Sequence, residues 1–458
     1  MTSVWPRIFA ALGLLTVITE AAHTPPGLPV LGNATKPGAD PLRFLVGVQQ
    51  TYGGQYPLVQ LDPPVGQRIH IVLDAGLVHE ILEDRERFAR PALGPQATRR
   101  QGLLSTEGAL WETQRSVLEP EFLGATLADY ANISGAVTEA TMANWPAQGT
   151  VDLLEEMSVL TLRVITRGLF SRDTSPETGR AVHAAMETFG RELEFDIGEF
   201  LLPETLQSGL SEEFLAADEL VEGVAEEFID WHRSQADPPA DMLTALIEAQ
   251  QDPSIELSAN ELVDETVLFL TAGQETTALT IAYAFYWLTQ HPRARERVRT
   301  EASRVLGGDQ PGWSDLSELT YTEQVIRETL RLTPAAWNIS REPRAPTRVG
   351  GAELAPGELV MLSPYAHHRD RRVWDNPTTF DPDRWAGVAS RGQDAYFPFG
   401  SGPRICIGRQ VALTEAQFVV AGILQSYDVE VLAEELPFRP AVTLQPATTL
   451  QARVTARD

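Results

Sequence analysis

Residues 258–291 constrain this chain more than any other stretch. Ser258 and Glu261 form the S-x-x-E pattern of a helix capping box, and Pro292 marks the far limit. About 33 residues lie between, on the order of 50 Å of helix. VLFLTA and ALTIAYAFYWL make the segment apolar nearly all round, so it must run through the middle of a large core rather than lie on its surface. A chain of 458 residues is long enough for such a core, in one large α-rich domain or in two.

The middle of this rod breaks its own pattern. Ala272, Gly273, Gln274, Glu275, Thr276 and Thr277 set a glycine, an acid and two hydroxyls halfway along it. Glycine costs about 1 kcal/mol relative to alanine inside a helix, and a buried carboxylate costs several kcal/mol without a partner. A harmless kink is the plain reading, but violations of this kind gather at functional sites. Glycine would admit a flat ligand to the backbone, and Glu275 and Thr276 could relay protons to it.

The only cysteine, Cys406, stands in FPFGSGPRICIGRQ, residues 397–410. A lone cysteine is usually a small core hydrophobe. Here Gly400, Gly402 and Pro403 break regular structure before it, and Ile407, Val411, Phe418, Val419 and Ile423 follow at helical spacing. Cys406 is therefore expected at a helix N-terminus, where free N–H groups, the helix dipole, Arg404 and Arg409 favour a thiolate. One cysteine excludes an intrachain disulfide and every multi-cysteine zinc or iron–sulfur pattern. Gly400-x-Gly402 lacks the third glycine of a dinucleotide fingerprint, and the adjacent His367 and His368 lack zinc-helix spacing.

Elsewhere, YPLVQL and RIHIVL around 56–73 read as strands, helical patterns dominate from about 76 to 335, and TRVG, AELAP and ELVML near 340–365 read as short strands, as does 428–456. The expected fold is mainly α with minor β. Lys+Arg of 36 against Asp+Glu of 63 gives a net charge of −27, and Lys36 is the only lysine. Such a surface repels nucleic acid. A GC-rich genome explains the loss of lysine but not the acidic excess; adaptation to high salt explains both, so a salt-adapted prokaryote is the expected source. The apolar run 8–18, IFAALGLLTVI, is shorter than the roughly 20 residues a bilayer requires. It reads first as a docked or membrane-touching helix, and second as a signal-peptide core. A cytoplasmic protein with peripheral membrane contact and no span is expected, organised as a short apolar segment, 1–23, and a single catalytic domain, 24–458.

Together these stretches resemble a cytochrome P-450, a haem-thiolate monooxygenase. FGSGPRICIG, Phe399 to Gly408, matches F-G-x-G-x-R-x-C-x-G at every fixed position, and AGQETT, 272–277, matches A-G-x-[DE]-T-T. Glu328-Thr-Leu-Arg331 matches E-x-x-R, joined by Arg384 in FDPDRW, and Trp111 and Arg115 match W-x-x-x-R. Alone, the last two are weak signals; the cysteine loop is strong, and all four stand in the family's order. Val411 departs from the Phe or Leu common before Ala412.

The resemblance implies a long central helix over haem, with small β-sheets at both ends. It implies haem b (iron protoporphyrin IX) with Cys406 as axial thiolate to the iron, Phe399 beside the sulfur, and Gly402 and Gly408 letting backbone pass the porphyrin. Trp111, Arg115, Arg341 and Arg404 would serve the propionates, and Ala272 and Gly273 would lie against the haem. Glu275 and Thr276 would deliver protons to dioxygen, while Glu328, Arg331 and Arg384 would form a buried triad that steadies the cysteine loop.

The implied reaction inserts one atom of O2 into a C–H bond of a hydrophobic small molecule. The chain ends soon after the Cys406 helix, so electrons are expected from a separate ferredoxin or flavodoxin-type donor. Peroxide-using relatives commonly replace the acid–threonine pair, so Glu275-Thr276 favours oxygen; a haem sensor or electron carrier, and a haem-free helical protein, are the alternatives from other classes. Phe88, Leu103, Leu104, Phe269, Ala272, Ala335, Trp337, Ile339 and Leu450 are the expected pocket lining. Arginines at 85, 87, 90, 99 and 100 could meet a substrate carboxylate, although most read as solvated. The motif variants resemble the fatty-acid-hydroxylating branch more than the camphor-type branch, so a long-chain acid is the expected substrate, with terpenoids, carotenoids and steroids open.

Overall fold

The computed structural model describes residues 40–61, 68–92, 99–194, 209–387 and 394–457. The N-terminal apolar run and the Pro-Pro-Gly hinge lie outside them. The central rod starts as expected: the Ser258 hydroxyl accepts the Glu261 N–H at 3.2 Å, and the Glu261 carboxylate accepts the Ser258 N–H at 2.6 Å. It runs as Ala259–Leu268, a π-turn at Phe269–Gly273, then Gln274–Gln290, and the next helix begins at Pro292. From Gln274 to Leu288 almost every residue is buried. The rod packs on the helices Leu153–Phe170, Thr320–Leu332 and Arg409–Ser426, which carry much of the main apolar core.

Most of the strands gather in two sheets, with two further two-stranded hairpins, Thr347–Val349 with Ala352–Leu354 and Phe438–Pro440 with Leu444–Pro446. Leu58–Leu61, Ile69–Val72, Leu359–Leu362, Ile339–Pro343 and Phe88–Ala89 form one five-stranded sheet in that order, with only the Ile69–Leu359 pairing parallel. Gln148–Asp152, Gln451–Ala456 and Tyr427–Val431 form a three-stranded antiparallel sheet.

Two of these strands differ from the sequence expectation. Gln148–Asp152 interrupts the helical region and is largely solvent-facing, so no apolar alternation announces it; its partner lies some 300 positions later in the chain, across the ladder with Gln451–Ala456. Ile339–Pro343 carries Arg341 and Glu342 mid-strand, which disguises it as a connection. Among the described residues, no helix is long and apolar enough to cross a membrane.

Candidate active site

The cysteine loop is a short turn, Gly402–Arg404, feeding the helix Arg409–Ser426. Gly402 has φ +70°, and a β-carbon there would stand 2.5 Å from the Leu82 carbonyl oxygen. The end of the helix Ala75–Glu83 already requires glycine at this point. Gly408 is unconstrained in this way: the nearest atom to a β-carbon would be in the Phe122 ring, at 3.9 Å.

The Cys406 N–H donates to the Phe399 carbonyl at 3.0 Å, and the Gly408 N–H is directed at the sulfur. The Phe399 ring packs onto the main core. Burial pushes the Cys406 thiol up, against the Gly408 N–H, Arg115 and Arg409, which favour the thiolate. The bias expected from the helix start is present, but desolvation outweighs it. Cys406 nevertheless keeps accessible surface.

The triad is assembled. Glu328 and Arg331 are fully buried, and Arg331 bonds both carboxylate oxygens at 2.9 and 2.8 Å. Arg384 at 3.0 Å, Trp385 at 2.9 Å and the Asp381 N–H at 2.9 Å complete the carboxylate's partners. Arg331 spends its remaining N–H groups on the carbonyls of His368, Pro377 and Thr379, so the charges are fully partnered. A residue dismissed as a metal ligand links this knot to the loop. Burial and neighbouring arginines hold His368 neutral; its Nε2 accepts the Phe397 N–H at 3.1 Å, so Nδ1 donates to the Arg331 carbonyl at 3.2 Å.

Arg341 and Arg404 meet a third guanidinium, Arg90, one of the five arginines that the sequence left open between substrate contact and solvent. Burial, with Arg90 and Arg404 beside it, pushes Arg341 down to about 10; burial and Arg404 do the same to Arg90. Among the described residues the carboxylate facing them is Glu107, 2.8 Å from Arg404 and also bonded by Arg344. The Trp111 ring lies between Arg404 at 4.5 Å and Arg85 at 5.4 Å. Arg115 donates to the Ile405 carbonyl at 3.1 Å and pairs with Glu119 at 2.9 Å. Four guanidiniums, those of Arg90, Arg341, Arg344 and Arg404, around one carboxylate call for further anions. A sulfur with an aimed N–H and such a cationic cluster make the donor set a haem requires: a soft axial ligand and partners for two propionates. The residues fit the group.

Across the rod, Thr271, Ala272, Glu275 and Thr276 keep accessible surface while Phe269, Leu270, Gln274 and Thr277 are buried. Gly273 meets protein on one side, where a β-carbon would stand 2.8 Å from Ile165 Cδ1 on the helix Leu153–Phe170. Thr276 Oγ1 donates to the Ala272 carbonyl at 2.8 Å across the π-turn. Glu275 turns elsewhere, accepting from Gln445 Nε2 at 2.5 Å and from Thr443. Burial pushes its carboxyl up to about 7, against these two hydrogen bonds.

The lining is smaller than expected. Phe88, Trp337 and Leu450 are only 2%, 3% and 0% exposed, so they are core, whereas Leu104, Ala272 and Ile339 keep accessible surface. Phe269 stacks on Phe122 with ring centroids 5.5 Å apart, which bridges the rod towards Gly408.

A sequence profile of the cytochrome P-450 family matches residues 23–451. Cyclooctatin synthase of Streptomyces melanosporofaciens is 32% identical, over 88% of this chain and 88% of its own. Cyclooctat-9-en-7-ol 5-monooxygenase of the same organism is 30% identical over 87% and 88%. Pentalenene oxygenase of Streptomyces avermitilis is 27% identical over 96% and 98%. The chain therefore belongs to the cytochrome P-450 family, as a haem-iron monooxygenase that acts on a hydrophobic small molecule with O2 and electrons from a redox partner.

Proposed function

We propose that residues 24–458 form one catalytic domain that hydroxylates an uncharged, largely apolar molecule on haem b, supplied with electrons by a ferredoxin or flavodoxin-type donor. The observation that carries the substrate reading is the fate of the arginines. Arg85 pairs with Glu112, Arg87 with Glu80 and Asp84, and Arg99 and Arg100 with Asp218. Arg90 belongs to the propionate cluster. None is left over for a substrate carboxylate. The names pentalenene and cyclooctat-9-en-7-ol denote an olefin and an unsaturated alcohol, which supports the same reading.

Haem iron, when bound, supplies the activation of O2 and the C–H insertion. Cys406 would hold it, with the Gly408 N–H moderating the sulfur. Arg90, Arg341 and Arg404, braced by Trp111, would hold the propionates, while Arg115 braces the loop. Thr276 presents an oxygen with free lone pairs beside Ala272, and Glu275, poised near neutrality, would exchange its proton with that face. The acidic surface supports a cytoplasm rich in salt, with peripheral membrane contact resting on residues 8–18 alone.

The test is a titration of the ferric protein, in molar salt, with a neutral polycyclic olefin and separately with a long-chain fatty acid. The Soret band should show thiolate-ligated haem, lost in Cys406→Ala. A high-spin shift with the olefin and none with the acid is expected; the reverse restores the fatty acid as the substrate class.

A further inference from the structure

The hairpin Phe438–Pro440 with Leu444–Pro446 touches the rod at its polar middle. Gln445, only 8% exposed, donates from Nε2 to Glu275 Oε1 at 2.5 Å, and the Thr443 hydroxyl serves the same carboxyl. The hairpin is pinned in this register from two sides. The Tyr283 hydroxyl donates to the Leu444 carbonyl at 2.5 Å, and the Leu444 N–H donates to the Ala335 carbonyl at 2.8 Å. A third wall is the helix Pro176–Glu192, whose Gly190 lies so close to the Gln445 amide that a β-carbon at 190 would overlap it. Gly190 sits in ordinary helical conformation, so its value is the space it leaves.

We propose that Gln445 is the positioning residue of Glu275, holding its carboxyl to the hairpin and away from Thr276, and that the missing side chain at Gly190 is what admits the amide. The inference rests on the proton-relay reading of Glu275 given above. It deepens that reading by naming a control three elements wide: the rod supplies the acid, the hairpin aims it, and the Pro176–Glu192 helix sets the fit. The groups acting on the carboxyl are Gln445 and Thr443 from the hairpin, with Tyr283 facing it from its own helix; the Tyr283 hydroxyl is committed to Leu444. No cation or second carboxylate acts on it among the described residues. An N–H donor stabilises the charged form, so Gln445 works against burial. Without it, Glu275 should hold its proton to higher pH.

The experiment is an infrared titration of the holoenzyme, following the protonated-carboxyl band that disappears in Glu275→Gln. In Gln445→Leu the midpoint should rise by about one pH unit, the size of one hydrogen bond to a charged group. Gln445→Met is the second variant should the leucine disturb folding. Gly190→Ala, which alters neither partner, should move the midpoint the same way. The alkaline limb of the kcat profile should follow, because a carboxyl that donates its proton must still carry one. An unmoved infrared midpoint in both Gln445 variants overturns the proposal, and an unmoved one in Gly190→Ala alone overturns the part given to Gly190. A shifted midpoint with an unmoved kcat limb leaves the positioning intact and overturns the relay reading instead.

Discussion

Glu265 is the clearest case of a residue whose charge state follows from its surroundings. It lies on the rod ten positions before Glu275 and is fully buried. One oxygen accepts the Leu103 N–H at 2.8 Å, and Oε2 has no partner among the described residues. Burial pushes the carboxyl up to about 8. Unfolded, the same group titrates near the ordinary glutamate value, about 4.3. Between those two pH values the folded chain holds the extra proton, so this group's stabilisation is complete below the lower value and is lost as pH rises through the upper one. Glu265→Gln keeps an acceptor for Leu103 and removes the titration. Its unfolding free energy should therefore fall less steeply than wild type from pH 5 to 9, the curves diverging by on the order of 3 kcal/mol at the alkaline end. Parallel curves in denaturant melts would show that Glu265 is already ionised in the fold.

At the scale of elements, the triad helix and the cysteine loop are coupled through the His368 imidazole, beside the Tyr396 hydroxyl, which donates to the Arg327 carbonyl at 3.1 Å. His368→Leu would strand the buried Phe397 N–H and remove a donor from the Arg331 carbonyl, at a cost of about 1–3 kcal/mol, while the side-chain bonds to the Glu328 carboxylate stay in place. Glu328→Gln would instead leave Arg331 and Arg384 facing an uncompensated site, at a cost of about 3–5 kcal/mol. Melting curves should rank them in that order. His368→Leu should also loosen the loop enough to weaken the thiolate haem spectrum at temperatures where the helices remain folded; equal loss of helix and spectrum would refute a local link.

The sequence shows why some of this was legible and some was not. The rod was readable because its capping box and apolar period are local signals, and Cys406, Arg341 and Arg404 stand in a dense motif or in its order. The π-turn was hidden because shifting a helix by one hydrogen bond leaves composition and period unchanged. His368, Arg90 and Gln445 were missed for another reason. Each acquires its role from partners that only folding brings near: Gln445 meets Glu275 across 170 positions. The neighbour of Gly273 was not legible either, because a glycine in a helix leaves space on one side and only the fold shows that Ile165 lies there.

For the whole molecule, the decisive quantity is the charge of −27. The arginines are heavily engaged: Arg100 faces Asp218, Glu222 and Asp264 at 2.9, 2.9 and 3.0 Å, and Arg163 and Arg167 share Asp173. Added salt has two opposed effects. It weakens the pairs, but exposed pairs contribute only about 0–1 kcal/mol each. It also screens the repulsion among unpaired carboxylates, which acts over long distances. The Debye length shrinks from about 10 Å at 0.1 M to about 3 Å at 1 M, so distant repulsion vanishes while contacts near 3 Å keep much of their strength. Relief of repulsion should therefore win, and Tm should climb by several degrees between 0.05 and 2 M KCl at fixed pH. Potassium chloride is the salt of choice because it is neither sulfate nor phosphate, whose exclusion from protein surfaces strengthens burial by itself. A Tm that falls with KCl would mean that the pairs dominate, and the salt-adapted reading of this surface would have to be abandoned.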